Sequence, residues 1–598
     1  MVARTGALAT LERGSAGNGQ CGVFRGGPSW PLREEDEMKN ANRTISRRTV
    51  LKTGVVLAGA AVGAGPLASL MPRPAEGQTG PKFQRPPEPN PKRGGTLRVV
   101  GPHTVPHFDI YQGAWPINML VLYNGLVRKN LADGLRTIIP DLAERWELGP
   151  DKKSYTFYLR SGVKYHDGTP FSSADVAATF TKILNPPSGV ISVFRDNFAA
   201  VERVEAVNPL TVRIRLKAPT AYFIELLSGG TNQLFAVPIY SKKILDETNY
   251  DLRKLSAPAP GTGPFLFKEH KAAERWVYER NPNYWDPELP YIDRLELLHV
   301  PQYTDRGSAI LAGQADLTWN TSVDAWREGE KKKDQFGVAK LPSLGGHTAH
   351  INNERKPFND ARVRRAIFLA VSRQNIHTAY QDQEPMAQGR WMDASSPFSM
   401  PSSEILQLPG YRADKTADIA EAKRLLAAAG FPNGFGPIEL VSATAPWAAD
   451  IMAPAFAEEL KRQLNITSKI RLVERGLLPE QYKNGTFDIL VETQFVGAIA
   501  DPTPMWNAFL KCKASQNYSR WCNATFDKLL QEIGEETDEA KRRQLMLRAE
   551  EVLDNDAPFV LTGFGSHSAM WRSYVKGMAI EKRIHTDWGH FDTVWLDK

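Results

Sequence analysis

The sequence predicts an α/β fold, and three observations support that prediction. The chain has 598 residues, which is enough for two or more domains. Its composition, with 42% hydrophobic and 24% charged residues, is that of a globular protein. From Gly94 onward, stretches with alternating apolar residues are interleaved with segments whose apolar residues recur at helical spacing. This mixture of strands and helices is typical of α/β domains.

Strands are predicted where apolar and β-branched residues alternate, because successive side chains of a strand point to opposite faces. Tyr155, Phe157 and Leu159, for example, share one face of a predicted strand. The other strand predictions are 94–101, entered from a glycine pair, 201–219, divided by an Asn-Pro turn, the pair 261–270 and 275–285, and 291–301.

Helices are predicted where apolar residues recur every three or four positions. Ser172 or Ser173 caps a helix in which Val176, Phe180 and Ile183 form one stripe. The preceding HDGTP predicts a turn whose Asp167 accepts backbone hydrogen bonds. A helix over 123–130 is predicted to lead to a turn in 140–148, and another helix is predicted over 305–319. The helix predicted over 361–376 should have arginines that are solvated or cap-paired. A further helix starts at 421 and stops at Gly430.

Residues 46–72 read SRRTVLKTGVVLAGAAVGAGPLASLMP, a basic start followed by eighteen uncharged residues. Spanning a bilayer takes about 20 apolar residues. Four glycines weaken the segment both as an anchor and as a buried core helix. The order from Ser46 to Lys52 resembles a twin-arginine export signal, with Val50 where phenylalanine is usual. The prediction is therefore a cleaved signal in 1–75, with an uncleaved anchor as the alternative.

Two features of this region stay open. A signal that starts at Met38 would be a more ordinary twin-arginine signal. We therefore interpret Met38 as the true start of the protein and residues 1–37 as an over-called extension. Cleavage after Pro66-Leu67-Ala68 and after Arg73-Pro74-Ala75 both fit the small residues that such sites need. The following residues, 76–93, are rich in proline and predict an extended linker.

Charge argues against a nucleic-acid partner. The net charge is +7, but residues 1–75 hold ten Lys or Arg and five Asp or Glu, so most of the excess belongs to the signal region. The remainder shows no basic run interleaved with aromatic residues. We therefore predict no nucleic-acid binding.

Cys512 and Cys522 are the two cysteines of the predicted mature chain. No neighbouring residues supply the other two ligands of a structural zinc site. In an exported protein, two cysteines ten residues apart predict a disulfide, and two buried free thiols are the alternative.

Several motifs together resemble one family. They are YHDGTPF (165–171), GTGPF (261–265), RNPNYW (280–285), KPFNDARVRRA (356–366) and NYSRWCNATFDKLL (517–530). In this order and spacing, the chain resembles the solute-binding proteins of ABC importers that include the dipeptide-, oligopeptide- and nickel-binding proteins. The resemblance covers about 94–598.

The resemblance implies a two-lobed periplasmic binding protein fold of type II, large and peptide-binding-like, with an extra subdomain in the first lobe. Lobe I is predicted over 94–344 and again over 566–598, and lobe II over 345–565, so the hinge has two crossings. It implies a small solute bound between the lobes and a permease in the inner membrane as the partner. We expect a monomer, no cofactor and no catalysis.

The peptide-binding relatives hold the α-amine of a peptide with an aspartate that precedes a D-P or E-P turn. The similar stretch here is GAIADP (497–502), in which Ala498 stands at the aspartate position and Asp501 belongs to the turn. A buried amine needs a paired charge. Ordinary peptides are therefore in doubt unless Asp109 or Asp501 replaces the missing anchor.

Aromatic residues at strand ends and in loops supply the other candidate solute contacts. Trp391 lies in a polar loop and looks exposed, Trp447 follows a strand at 438–443, and Phe495 follows the strand FDILVET. Phe108, beside Asp109, is a further candidate. The alternative for each is packing within or between the lobes.

His103 and His107 have H-x-x-x-H spacing, but Pro102 and Pro106 disfavour the helix that a metal site of this kind needs. We therefore predict no metal site. An exported hydrolase or cofactor enzyme is the alternative function, yet the sequence has no nucleophile elbow, metal constellation or dinucleotide fingerprint. A chaperone-like or sensory relative without a permease is a weaker third hypothesis.

Overall fold

The computed structural model describes residues 90–113, 118–130, 137–229, 236–380, 388–393, 396–444, 451–474, 477–496, 499, 501–578 and 591–598. All of these residues belong to one compact unit. The predicted signal region, Trp447 and Ala498 lie outside the described residues. Among the helices that are described, none is long and apolar enough to cross a membrane.

The strands are β1 (Thr96–Gly101), β2 (Val127–Lys129), β3 (Ile138–Pro140), β4 (Ala143–Leu148), β5 (Ser154–Leu159), β6 (Val201–Asn208), β7 (Thr211–Leu216), β8 (Phe265–Lys271), β9 (Arg275–Arg280), β10 (Arg294–His299), β11 (Leu317–Thr318), β12 (Phe336–Ile351), β13 (Ile438–Ala443), β14 (Ser468–Val473), β15 (Ile489–Val496), β16 (Phe559–Arg572), β17 (Val575–Lys576) and β18 (Trp595–Leu596).

The helices are α1 (Ser173–Leu184), α2 (Phe223–Gly229), α3 (Lys242–Glu247), α4 (Tyr303–Leu311), α5 (Val323–Lys331), α6 (Ala361–Ala370), α7 (Arg373–Tyr380), α8 (Ser402–Ile405), α9 (Thr416–Ala428), α10 (Met452–Leu464), α11 (Leu478–Asn484), α12 (Thr503–Phe509), α13 (Ala524–Glu535) and α14 (Glu539–Asp556). Short 3-10 turns lie at 110–112, 120–122, 196–198 and 252–254.

A ten-stranded sheet runs through both lobes in the order β14-β13-β15-β12-β16-β11-β1-β10-β9-β8. Its two central strands, β12 and β16, are long and pair antiparallel with each other. Strands β13 to β15 lie on one side of this pair, and β1 with β8 to β11 lie on the other. The predicted boundaries after 344 and after 565 fall inside β12 and β16, and the names lobe I and lobe II are used below for the predicted ranges.

Lobe I has its own apolar core, to which the C-terminal segment returns. The alternation Tyr155-Phe157-Leu159 is confirmed, because all three side chains are buried on one face of β5. Strands β4 to β7 form a separate four-stranded sheet, order β4-β5-β7-β6, which we call the lobe I subdomain. Phe591, Val594 and Leu596 of the C-terminal segment pack into the lobe I core.

The first predicted helix is also confirmed. Ser172 is the N-cap of α1 and forms a capping box with Asp175. Val176, Phe180 and Ile183 are buried in the lobe I core, as the apolar stripe predicts. Asp167 Oδ1 accepts the Thr169 N–H at 3.0 Å, so HDGTP is the predicted turn.

Lobe II contains the helices α6 to α14 around strands β13 to β15. The prediction of one helix over 361–376 is wrong, because the chain breaks between α6 and α7, where Glu459 accepts the Ser372 N–H at 3.0 Å. The expectation of solvated or cap-paired arginines is wrong for Arg364 and Arg373, which are buried. The Arg373 guanidinium lies over the Tyr411 ring and donates to the Leu561 carbonyl at 2.9 Å.

The predicted helix and turn over 123–148 are also wrong. In the described part of this range the chain forms β2, β3 and β4. Val127 pairs with Pro140, and the neighbouring Arg128 forms a buried ion pair with Asp592, 2.9 Å away. The sequence separation of this ion pair is 464 residues, so local pattern gave no sign of it. Tertiary pairing therefore outweighed the local helical pattern.

Candidate functional site

The two predicted chain crossings fall at a short irregular stretch of the sheet. The β12–β16 register runs from Phe336↔Arg572 to Pro342↔Ser566 and resumes at Gly346↔Phe564. The end of β15 lies against the same stretch, because Phe495 pairs with Gly346 and Val496 with Gly345. The backbone of Phe495 is thus beside the two predicted crossings, and junctions between lobes are where ligand sites usually lie.

Ile499, three residues beyond the end of β15, packs in lobe I. Ile499 is 4% exposed and belongs to the apolar core of lobe I, although its chain neighbours belong to lobe II. Two residues later, Asp501 starts the turn into α12 and accepts the Thr503 N–H on Oδ1 at 2.9 Å. The described residues Phe495 and Ile499 therefore lie where the lobes meet.

Asp501 is a buried partner of Arg542. The two side chains form an ion pair and are 1% and 5% exposed. Arg542 also donates to the Thr503 hydroxyl and the Ile533 carbonyl, both at 2.8 Å. The Asp501 carboxylate is thus fully engaged in holding α12 and α14 together.

Asp109 lies in lobe I, and its carboxylate is also engaged. Its Oδ2 lies 2.8 Å from Lys182 Nζ, and neither side chain is exposed. The same oxygen accepts from Gln112 Nε2 at 2.8 Å and from the Leu252 N–H at 3.0 Å, and Oδ1 accepts the Tyr111 N–H at 3.1 Å. An α-amine at this position would have to replace Lys182.

The loop that precedes Asp109 packs on the lobe I core. Phe108 makes edge contacts with the rings of His270 and Trp276, each with centroids 5.8 Å apart. His103 is buried and its Nδ1 lies 2.7 Å from Asn118 Oδ1, so it does not line an open cleft. Within the described residues, no group of His, Cys, Asp and Glu is arranged to hold a metal ion.

Trp391 is not the exposed aromatic that the sequence predicted. Its side chain is 0% exposed and lies in the core of lobe II, with its ring stacked on Phe368. Its Nε1 donates to Asp554 Oδ1 at 2.7 Å. Trp391 stands next to a polar residue, Arg390, that forms ion pairs with Glu550 and Asp554 inside the protein. Sequence alone does not distinguish such buried pairs from a solvated loop.

The structure brings some of the predicted residues together and separates others. The Trp391 carbonyl accepts from Trp506 Nε1 of α12 at 2.9 Å, so Trp391 and Asp501 lie on one part of lobe II. Asp109 and Phe108 belong to the core of lobe I. Arg542 was not predicted at all, since an arginine within KRRQ gives no sign that it is buried.

Cys512 and Cys522 are bonded to each other across ten residues. The loop that they close lines a cavity of about 790 Å³, together with the stacked rings of Tyr482 and Tyr518. Tyr482 belongs to α11, which precedes β15, so this cavity lies at the opposite end of β15 from the crossings.

Comparison with known proteins assigns the family. Residues 137–517 match the profile of bacterial extracellular solute-binding proteins, family 5. The dipeptide-binding protein of Escherichia coli is 27% identical over 77% of this chain and 86% of its own length. Heme-binding protein A of Haemophilus influenzae is 29% identical over 76% of this chain and 84% of its own length.

A solved structure supports the fold. The periplasmic binding protein DppA of Helicobacter pylori, in complex with the peptide STSA, superposes with a TM-score of 0.70 over 85% of this chain and 99% of its own, at 24% identity. The family profile covers more than half of the chain, and four of the five motifs lie within the residues that it matches. The chain therefore belongs to family 5 of the bacterial extracellular solute-binding proteins.

Proposed function

We propose that this protein captures a small solute between its two lobes in the periplasm and delivers it to an ABC transporter permease, and that the solute is not held through a free α-amino group. Family membership supports the first part. The second part rests on one observation, namely that Asp109 and Asp501 are both committed to buried cations.

The physical argument concerns the cost of an unpaired buried charge. A peptide ammonium in a closed cleft needs a carboxylate. Taking Asp109 would leave Lys182 buried without its partner, and taking Asp501 would leave Arg542 in the same position. Breaking a buried pair in this way costs about 3–5 kcal/mol, which is a large part of the free energy of micromolar binding. Ala498 supports the same conclusion by alignment, although it lies outside the described residues.

The solutes for which relatives are named differ in chemistry, so a solute without a free α-amine is compatible with the family. Relatives at similar identity are named for a dipeptide and for heme. A shared fold does not fix the solute, because specificity lies in the side chains of the site. The proposal includes no catalytic step, and it treats the protein as a monomer.

The experiment is mass spectrometry of small molecules released from mature protein that is purified natively from the periplasm. We expect a solute without a free α-amine. A parallel fluorescence titration uses one tetrapeptide and its N-acetylated form. We expect no preference for the free amine. A preference of about a hundredfold for the free peptide, or a released peptide, contradicts this part of the proposal.

Export is proposed to use the twin-arginine route. Replacing Arg47 and Arg48 by lysine should leave the precursor in the cytoplasm, because the receptor reads the arginine pair. Arg43→Lys, outside the pair, is the matched control and should be exported. Normal export of the double variant would exclude this route.

A further inference from the structure

Direct contacts join the lobe I subdomain to the helical part of lobe II. The Ala221 N–H donates to the Gly534 carbonyl at 3.1 Å, just after β7 in lobe I and within α13 in lobe II. Lys152 Nζ donates to Thr537 Oγ1 at 2.9 Å, and Ser515 Oγ donates to Asp196 Oδ2 at 3.2 Å. Every lobe I partner belongs to the subdomain or to a segment beside it.

Tyr222 lies at the centre of these contacts. Its ring faces the Arg542 guanidinium at 5.8 Å. A Cβ on Gly534 would lie 3.9 Å from the Tyr222 ring, so the helix passes close to it. Burial, with the nearby charge of Asp501, raises the pKa of Tyr222 to about 12, which keeps the hydroxyl neutral.

Arg542 joins this surface to the turn that borders the lobe junction. Through Asp501 and Thr503 it holds the start of α12, and through the Ile533 carbonyl it holds the end of α13. Asp501 is two residues from Ile499, which packs in the lobe I core. Phe495 is therefore held by the pairing of β15, and Asp501 is held by Arg542.

We propose that Tyr222 and Ala221 of lobe I dock on Gly534 and Arg542 of lobe II to form the surface that holds the lobes closed, and that Arg542 is a positioning residue for Asp501 and the start of α12. This inference rests on the proposed function, because it assigns the closing surface of the same solute site.

The chemistry of Arg542 suits a surface that must open again. Its hydrogen bonds and its ion pair lie within lobe II, so separating the lobes leaves the buried cation paired. Opening separates the Tyr222 ring from Arg542 and breaks the backbone hydrogen bond of Ala221 and the exposed polar contacts, and water can replace these polar partners. Such a contact biases the open–closed equilibrium without locking it.

The test measures the distance between the lobes in the mature protein with no solute added. Spin labels are attached to cysteines introduced at Glu202 in the subdomain and Lys423 in lobe II, both exposed. Pulsed electron paramagnetic resonance should show a closed population in the otherwise unchanged protein. Tyr222→Ala should lower the closed-to-open ratio about tenfold, because it removes the ring from Arg542.

Two further variants test whether the shift in the closed population comes from the Tyr222 ring or from any change to this surface. Tyr222→Phe keeps the ring and should retain most of the closed population. Lys152→Ala removes an exposed contact of the same surface and should shift the ratio little. A distance distribution that Tyr222→Ala leaves unchanged, or no closed population in the protein without these substitutions, overturns the proposal.

The positioning role has its own readout. In Asp501→Asn, hydrogen exchange should become about tenfold faster in peptides that cover 495–503, and stay unchanged in peptides from β13. Thr525→Ala, an exposed site in α13, is the matched control. Unchanged exchange in 495–503 contradicts the positioning role. Both experiments lack solute, so a free-amine peptide found by mass spectrometry would overturn the proposed solute class and leave these results intact.

Discussion

Lys182 Nζ lies 2.8 Å from Asp109 Oδ2, and both side chains are completely buried in lobe I. Burial lowers the pKa of Lys182, and the charge of Asp109 opposes that shift. A cation and an anion this deep in the core are stable only as a pair that makes further hydrogen bonds. The pair therefore acts as an internal support for the loop that starts at Asp109.

Asp109→Asn should destabilise the protein by about 3–5 kcal/mol, because it leaves Lys182 as a buried charge without its partner. The free energy of unfolding from a urea titration measures this effect. Lys242→Ala breaks the exposed Lys242–Asp246 pair and should cost less than about 1 kcal/mol. Loss of solute binding with unchanged stability would instead make Asp109 a solute contact.

Trp391→Phe should destabilise lobe II by about 1–3 kcal/mol, because it removes the indole N–H that donates to Asp554 in a buried network. Trp391→Ala should cost about 3–5 kcal/mol because it also leaves a cavity. Thermal unfolding of the two variants measures this order. We expect the solute affinity of the Phe variant to be unchanged at a temperature where it is folded. A Phe variant of full stability that binds solute weakly would make Trp391 a direct contact.

Buried His350 should make the folded protein less stable as the pH drops below 6.5. Burial lowers the pKa of His350 to about 3, so its ring stays neutral in the folded protein while the unfolded chain takes up a proton near its ordinary value of 6.5. The folded state therefore loses about 1.4 kcal/mol per pH unit from this residue between pH 6.5 and about 3.

His350→Gln should reduce that slope by about one proton, measured as the pH dependence of the unfolding free energy between pH 5 and 6.5. Ser519→Ala removes a hydrogen-bond partner of His350 and keeps the ring, so its slope should match that of the unchanged protein. Equal slopes in all three proteins would mean that His350 does not take up the proton.

Replacing Cys512 and Cys522 together by serine should lower the free energy of unfolding by about 2–4 kcal/mol, because the unfolded chain gains the freedom of an open loop. Thermal unfolding of the double variant measures the loss, and reductant added to the unchanged protein should produce a similar shift. Two titratable thiols in the unreduced periplasmic protein would contradict the disulfide.

The sequence by itself determined the fold class, the family and the local elements that carry strong patterns. Helix α1 was predictable because Ser172 caps it and its apolar residues keep helical spacing. Strand β5 was predictable because its alternation is regular. These are short-range properties, since a cap or an alternation is complete within about ten residues.

The tertiary structure alone decided which polar residues are buried and what they bind. Trp391, Arg364 and Arg542 stand in polar stretches that look solvated, yet their partners Asp554, Asp556 and Asp501 are distant in sequence. A local pattern records the polarity of a residue but not the partner that offsets the cost of its burial. For the same reason, the sequence suggested Asp109 as a substitute anchor for an α-amine. Only the folded chain shows that the Asp109 carboxylate is already paired with Lys182.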